Sequence, residues 1–264
     1  GMMEENKKFK LVSSKKTRYL LPNILTLAGV CLGISSIKFS IDGNYSLAVT
    51  LILIASILDA LDGRIARLIK GTSDFGKELD SLTDFVSFGI APAFILYFWE
   101  LNNYGKLGWA ITLIYSVCCV LRLARFNLTR IESTDDWKNN FFEGIPSPAG
   151  GILILMPLIY ELTNLNIGLD VKKITPYFTI LIAIMMVSKI PTLALKRISI
   201  SPKTSIFLLL GIGLVFIALL FYTLQALLIF GIFYLISIPI SVILFNNQNK
   251  KNLKISEENH EDIL

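Results

Sequence analysis

Between Ser205 and Phe245 the chain runs for 41 residues without one Asp, Glu, Lys or Arg. A transmembrane helix takes ~20 apolar residues, so this stretch alone is long enough to cross a bilayer twice. Only 17% of the 264 residues are charged, where a soluble domain carries about a quarter, and mean hydropathy is +0.63. A water-soluble globular fold is excluded. Eight apolar segments succeed one another, at about 19–38, 46–67, 79–99, 107–126, 149–164, 175–191, 205–223 and 225–245. Each must be helical, because an open sheet edge would leave backbone groups unbonded in hydrocarbon. The sequence therefore predicts an all-α, polytopic integral membrane protein with about eight transmembrane helices.

An even number of spans puts both termini on one side. If that side is the cytoplasm, every basic residue except Lys38, Lys106, Lys172 and Lys173 falls in a cytoplasmic segment. This bias is the positive-inside rule, and it predicts cytoplasmic termini in the cell membrane. It also accounts for the net charge of +5, so no nucleic-acid partner is expected. The first 18 residues are polar, and no cleavable signal peptide is expected there. Residues 1–18 and 246–264 read as polar flanking segments. Cys31, Cys118 and Cys119 all lie in apolar stretches and read as packing residues. The single histidine, His260, sits in the polar tail, which removes a histidine-based metal site or catalytic triad.

Four carboxylates break the apolar pattern. Asp59 and Asp62 close the second segment, and Asp80 and Asp84 open the third. Ionisable residues at membrane depth are costly and by default functional. Spacings of three and four put each pair on one helix face, and the short connection makes the two helices antiparallel neighbours. Four negative charges converging in a low dielectric need compensation. Hard divalent cations with oxygen ligands provide it, Mg²⁺ bound by carboxylates and a substrate phosphate being the usual pattern. Two such ions form a clamp for displacement at phosphorus. Gly63, Ala66 and Gly76 would let a helix or a pyrophosphate approach the backbone closely, and Arg67 offers a cation to a phosphate oxygen. The competing structural readings are a cation pathway for Asp59 and Asp62, and helix-start caps for Asp80 and Asp84.

The run Asp59-x₂-Asp62-Gly63-x₂-Ala66-Arg67-x₈-Gly76-x₃-Asp80-x₃-Asp84 resembles the complete signature of the CDP-alcohol phosphotransferase family. The resemblance implies a six-helix membrane core over residues 19–204, with 205–245 as an additional two-helix hairpin. It implies transfer of a phosphoryl-linked group from a CDP-activated donor to an alcohol, with release of CMP. It also implies two divalent metal ions, Mg²⁺ in the first place and Mn²⁺ or Ca²⁺ as alternatives. Asp59, Asp62, Asp80 and Asp84 would be metal ligands and Asp84 the general base. Gly63, Arg67, Ser73 and Gly76 would meet the CDP-lipid, with Thr72 as a neighbour. Pro22, Asn23 and Thr26 resemble the family's nucleotide-contacting Pro-Asn-x-x-Thr element, which taken alone is equally a helix start.

Two further elements, Arg122-Leu123-Ala124-Arg125-Phe126-Asn127 and Gly144-Ile145-Pro146-Ser147-Pro148-Ala149, are similar to the phosphatidylserine synthase branch. That branch implies L-serine as acceptor and a homodimer, with the active site facing the cytoplasm. Serine is zwitterionic, so its site needs a cation for the carboxylate, from Arg122 or Arg125. Acceptors for the ammonium would come from Asn127, Glu143, Ser147 or loop carbonyls. The arginines are also compatible with interfacial snorkelling. An anionic acceptor, glycerol phosphate or inositol phosphate, is the rival within the family, and a cation-coupled transporter the rival outside it. Whether the lipid donor is ester- or ether-linked is left open.

Overall fold

The computed structural model describes residues 2–69, 73–128, 136–194 and 201–261. The chain begins with a long helix, α1 (Met2–Ile41), so residues 2–18 continue the first span as helix. Asp42 and Gly43 turn it back, Gly43 at φ +80. Asn44 then caps α2 (Tyr45–Leu68) by accepting the Leu47 N–H at 3.2 Å. The two helices pack along their length as an antiparallel hairpin.

The third apolar segment is a continuous span from Asp74 to Trp99, but it is not one regular helix. It comprises α3 (Asp74–Asp84), a π-helical turn (Phe85–Ile90) and α4 (Ala91–Trp99). Pro92 supplies the reason. It has no N–H to give the carbonyl four residues back, and its ring crowds that carbonyl. The carbonyl belongs to Phe88, and the Tyr115 hydroxyl donates to it at 2.8 Å. The turn instead closes five residues apart, from Ala91 N–H to Val86 carbonyl. Small residues let neighbours reach this turn, as expected where lipid gives helices no hydrophobic drive to associate. A Cβ on Gly33 would stand 2.6 Å from Ser87 Oγ, and one on Gly151 3.1 Å from Phe88 Cα.

After α5 (Lys106–Leu128) and a 3₁₀ turn (Asp136–Asn140) comes β1 (Phe141–Glu143). It pairs antiparallel with β2 (Pro191–Leu193), Phe142 opposite Thr192. Between them lie α6 (Ser147–Ile154), α7 (Met156–Leu162) and α8 (Val171–Val187). Pro157 explains the break at Leu155 between α6 and α7, since it cannot donate to the Leu153 carbonyl. Pro176 has the same effect on the Lys172 carbonyl, which accepts the Tyr104 hydroxyl at 3.1 Å. The chain closes with α9 (Pro202–Phe221), a break at Tyr222, and α10 (Thr223–Glu261), so residues 246–261 continue α10.

The chain is all-α apart from the three-residue ribbon, and helices occur in all eight predicted segments. Among the described residues six are long and apolar enough to cross a bilayer: Tyr19–Ile41, Tyr45–Leu68, Asp74–Trp99, Lys106–Leu128, Pro202–Phe221 and Thr223–Asn259. The α6–α7 pair and α8 fall short of that length. They lie inside the bundle, with Ile154, Leu155, Leu158, Ile159 and Ile182 at most 1% exposed. Protein rather than lipid surrounds α6–α7, so the bilayer does not set the length of that pair, whereas α8 buries one face and exposes Tyr177, Leu181 and Ile184 on the other.

Candidate active site

The helix ends left by the α2–α3 connection carry the aspartates. Asp59 and Asp62 stand one turn apart on α2, and Asp80 lies on α3. Carboxylate oxygens of these three lie within 4.8 Å of one another. Asp84, at the last turn of α3 before the π-helical turn, lies against Asp59. All four line one cavity of about 460 Å³. Asp62 is buried, and the Thr26 hydroxyl stands 2.6 Å from its Oδ2 and 2.9 Å from the Pro22 carbonyl. Donation to the carboxylate is the stronger choice, because the acceptor is ionised. The Pro22–Thr26 element is thus joined to the aspartate cluster from a third helix.

The donor set suits a hard cation. It consists of carboxylate oxygens, close enough for one ion to touch three of them, and the ligand chemistry matches Mg²⁺, Mn²⁺ or Ca²⁺.

One side of the cavity is formed by Asn23, Gly63, Arg67, Ser73 and Gly76. Ser73 caps α3, accepting the Gly76 N–H at 3.0 Å. A Cβ on Gly76 would come 3.1 Å from Ser73 Oγ and 3.3 Å from Asn23 Oδ1, so only glycine keeps these three together without displacement. Gly63 faces open space, and its carbonyl accepts Arg67 Nε at 3.2 Å, which steers the guanidinium along the cavity wall. Pro22 also lines the cavity, and Thr72 lies outside the described residues.

From α5 and the segment after it, Arg122, Phe142, Pro146 and Ser147 also line the cavity. Arg122 is 5% exposed. Its Nε donates to the Ile145 carbonyl at 3.1 Å, and its guanidinium carbon stands 5.7 Å from the Phe126 ring centre. Arg125 takes another direction. Its Nη atoms donate to the carbonyls of Val187 at 2.6 Å, Ser188 at 2.8 Å and Glu143 at 3.2 Å, closing the C-terminus of α8. Asn127 donates to Ser81 Oγ at 2.8 Å, and the exposed Glu143 sits on β1. These three do not line the cavity.

Tyr19 and Lys77 line the cavity although neither was expected from the sequence. Lys77 directly follows Gly76 and stands three residues before Asp80, a spacing that would have revealed it. Tyr19 gave no comparable signal.

A family model described as CDP-alcohol phosphatidyltransferase matches residues 19–188. A CDP-diacylglycerol–serine O-phosphatidyltransferase of Helicobacter pylori is 35% identical over 218 residues, 83% of this chain and 89% of that one. A protein of the same name from Bacillus subtilis is 34% identical over 149 residues, 56% of this chain and 81% of that one. Another, from Mycobacterium tuberculosis, is 35% identical over 191 residues, 72% of this chain and 66% of that one.

Proposed function

The chain belongs to the CDP-alcohol phosphatidyltransferase family, and on that premise we propose that it transfers the phosphatidyl group of a CDP-activated lipid to the hydroxyl of L-serine, releasing CMP. One observation carries the reading. The four aspartates share a cavity with Gly63, Gly76 and Arg67 and with the buried Arg122. That arrangement supplies a place for a diphosphate, a place for a small charged acceptor, and carboxylates between them.

Asp59, Asp62, Asp80 and Asp84 would hold two divalent cations, Mg²⁺ first among them. Bound there, the metal would stabilise negative charge on the diphosphate and favour departure of CMP. Gly63 leaves the backbone open to the pyrophosphate, Gly76 lets Ser73 and Asn23 approach each other, Arg67 would meet a phosphate oxygen, and Asn23 and Ser73 would contact the nucleotide. Arg122 receives the serine carboxylate as a fixed, desolvated cation. Ser147 and the loop carbonyls beside it accept from the ammonium. Asp84 takes the proton from the serine hydroxyl as that oxygen attacks the lipid-bearing phosphorus. The new P–O bond forms as the bond to CMP breaks.

The site lies at the ends of α2 and α3 that the basic residues assign to the cytoplasm, which suits one water-soluble and one membrane-resident substrate. Association as a homodimer, as the family resemblance implies, is part of the same reading.

The test is CMP release by purified protein given CDP-diacylglycerol and Mg²⁺, with and without L-serine. Release that depends on serine is the expected result. Release driven instead by glycerol phosphate or inositol phosphate would overturn the acceptor and keep the family chemistry.

A further inference from the structure

Helix α10 begins well beyond the residues that the family model matches, yet one of its faces packs against the β-ribbon, whose Phe142 lines the cavity. Gly231, Tyr234, Ile238, Ser241 and Phe245 recur at spacings of three, four, three and four, a single helical stripe. Gly231 meets Met156 of α7. Ile238 is 5% and Ser241 0% exposed. Phe245 packs on the β-ribbon, its ring centre 5.2 Å from Trp137 and 5.3 Å from Phe141. Off this stripe, Ile229, Ile232, Phe233, Ile236, Ile240 and Ile243 are exposed, a face for lipid.

Tyr234 is the anomaly on the buried stripe. Phenylalanine would fill the same space, and a buried hydroxyl in an apolar bundle is costly unless it is bonded. Its hydroxyl is buried without a well-formed hydrogen bond among the described residues, and it faces Thr192 and Arg122. Thr192 is 1% exposed and commits its own proton to the Gly144 carbonyl at 2.9 Å, which leaves its oxygen as an acceptor toward Tyr234. Gly144 in turn gives its N–H to the Ile190 carbonyl at 2.7 Å. The next residue, Ile145, holds Arg122 Nε.

We infer that Tyr234 is a positioning residue for acceptor recognition, acting through Thr192 and the Gly144–Ile145 backbone to fix the Arg122 guanidinium in the cavity. The inference rests on the reading of Arg122 as the acceptor-side cation. It makes α10 a working part of the transferase, since the helix fixes the ribbon and the ribbon fixes the arginine.

The experiment measures CMP release by the full chain in mixed micelles, titrating acceptor and CDP-lipid separately for wild type, Tyr234→Phe and Thr192→Val. Both variants are expected to raise the acceptor KM about three- to tenfold, the scale of a displaced polar contact beside a charge. The kcat and the CDP-lipid KM should stay within about twofold. In an Arg122→Lys background, Tyr234→Phe should add little, because the group it positions is gone. An unchanged acceptor KM, or equal losses for both substrates, would overturn the inference. The split is read on whichever alcohol drives wild-type turnover, so a wrong serine assignment would show separately in the wild-type titration.

Discussion

A carboxylate near membrane depth survives where something answers its charge, and the four aspartates differ in what answers them. Asp84 lies against Asp59, and an asparagine there keeps the size and hydrogen-bonding capacity of the side chain while removing its basicity. Asp84→Asn is therefore expected to reduce CMP release by at least about 10²-fold, the usual range for a lost general base, with the melting temperature little changed. Asp62 depends on the Thr26 hydroxyl 2.6 Å away. Such outer partners orient metal ligands, so Thr26→Val should raise the Mg²⁺ concentration for half-maximal activity about tenfold. A Mg²⁺ titration that superimposes on wild type would exclude a role for the Thr26 hydroxyl in orienting Asp62 toward a metal. The two arginines of the Arg122–Asn127 element should separate cleanly. Arg122→Lys is expected to raise the acceptor KM. Arg125→Lys removes a fork that serves several carbonyls at the end of α8, and should cost about 2 kcal/mol of stability while the surviving activity keeps its acceptor KM. Thermal melts and paired titrations distinguish the two.

Among the elements, the π-helical turn has the clearest consequence for the site. It directly adjoins Asp84, and an inserted π turn rotates the helix on its N-terminal side relative to the helix on its C-terminal side. Pro92 forces the turn, and Tyr115 bonds the Phe88 carbonyl that Pro92 leaves over. Pro92→Ala restores the missing donor and allows a regular helix, which would turn the aspartate face against α4. The expected outcome is a fall in kcat with the helical content by circular dichroism retained. The ribbon is the second element that shapes the cavity. Gly144 has φ +76, and a Cβ there would stand 2.7 Å from the Ser188 carbonyl and 2.8 Å from those of Met185 and Met186. Both the backbone and the space exclude a side chain, so Gly144→Ala should lower stability and acceptor affinity together. The helix pair α6–α7 shows why a short apolar segment was difficult to read: Pro157 divides it, and protein burial replaces the bilayer as the constraint on its length.

At the scale of the whole molecule, α9 has no buried residue, and Phe207, Leu209, Leu214 and Phe221 are each 67% to 76% exposed, a face suited to hydrocarbon. The charge bias predicts the orientation of the bundle. Cysteines introduced singly at Asn103 should react with an impermeant thiol reagent from outside intact cells, and those at Asp74 only after permeabilisation; the reverse pattern would invert the topology. The Pro22–Thr26 element was legible only through the family resemblance, whereas the helical class and the Asp59–Asp84 constellation could be read directly along the chain. Each rests on local spacing and on the cost of charge and unbonded backbone in lipid, which a sequence displays without knowledge of partners. Tertiary structure alone decided which arginine faces the cavity, because Arg122 and Arg125 share one helical stripe and differ only in whether the end of α8 lies beside them. It also decided that Phe141–Glu143 and Pro191–Leu193 pair although they are remote in the chain, and that α10 packs against that ribbon. Such choices depend on contacts between distant segments, and no spacing within a segment encodes them.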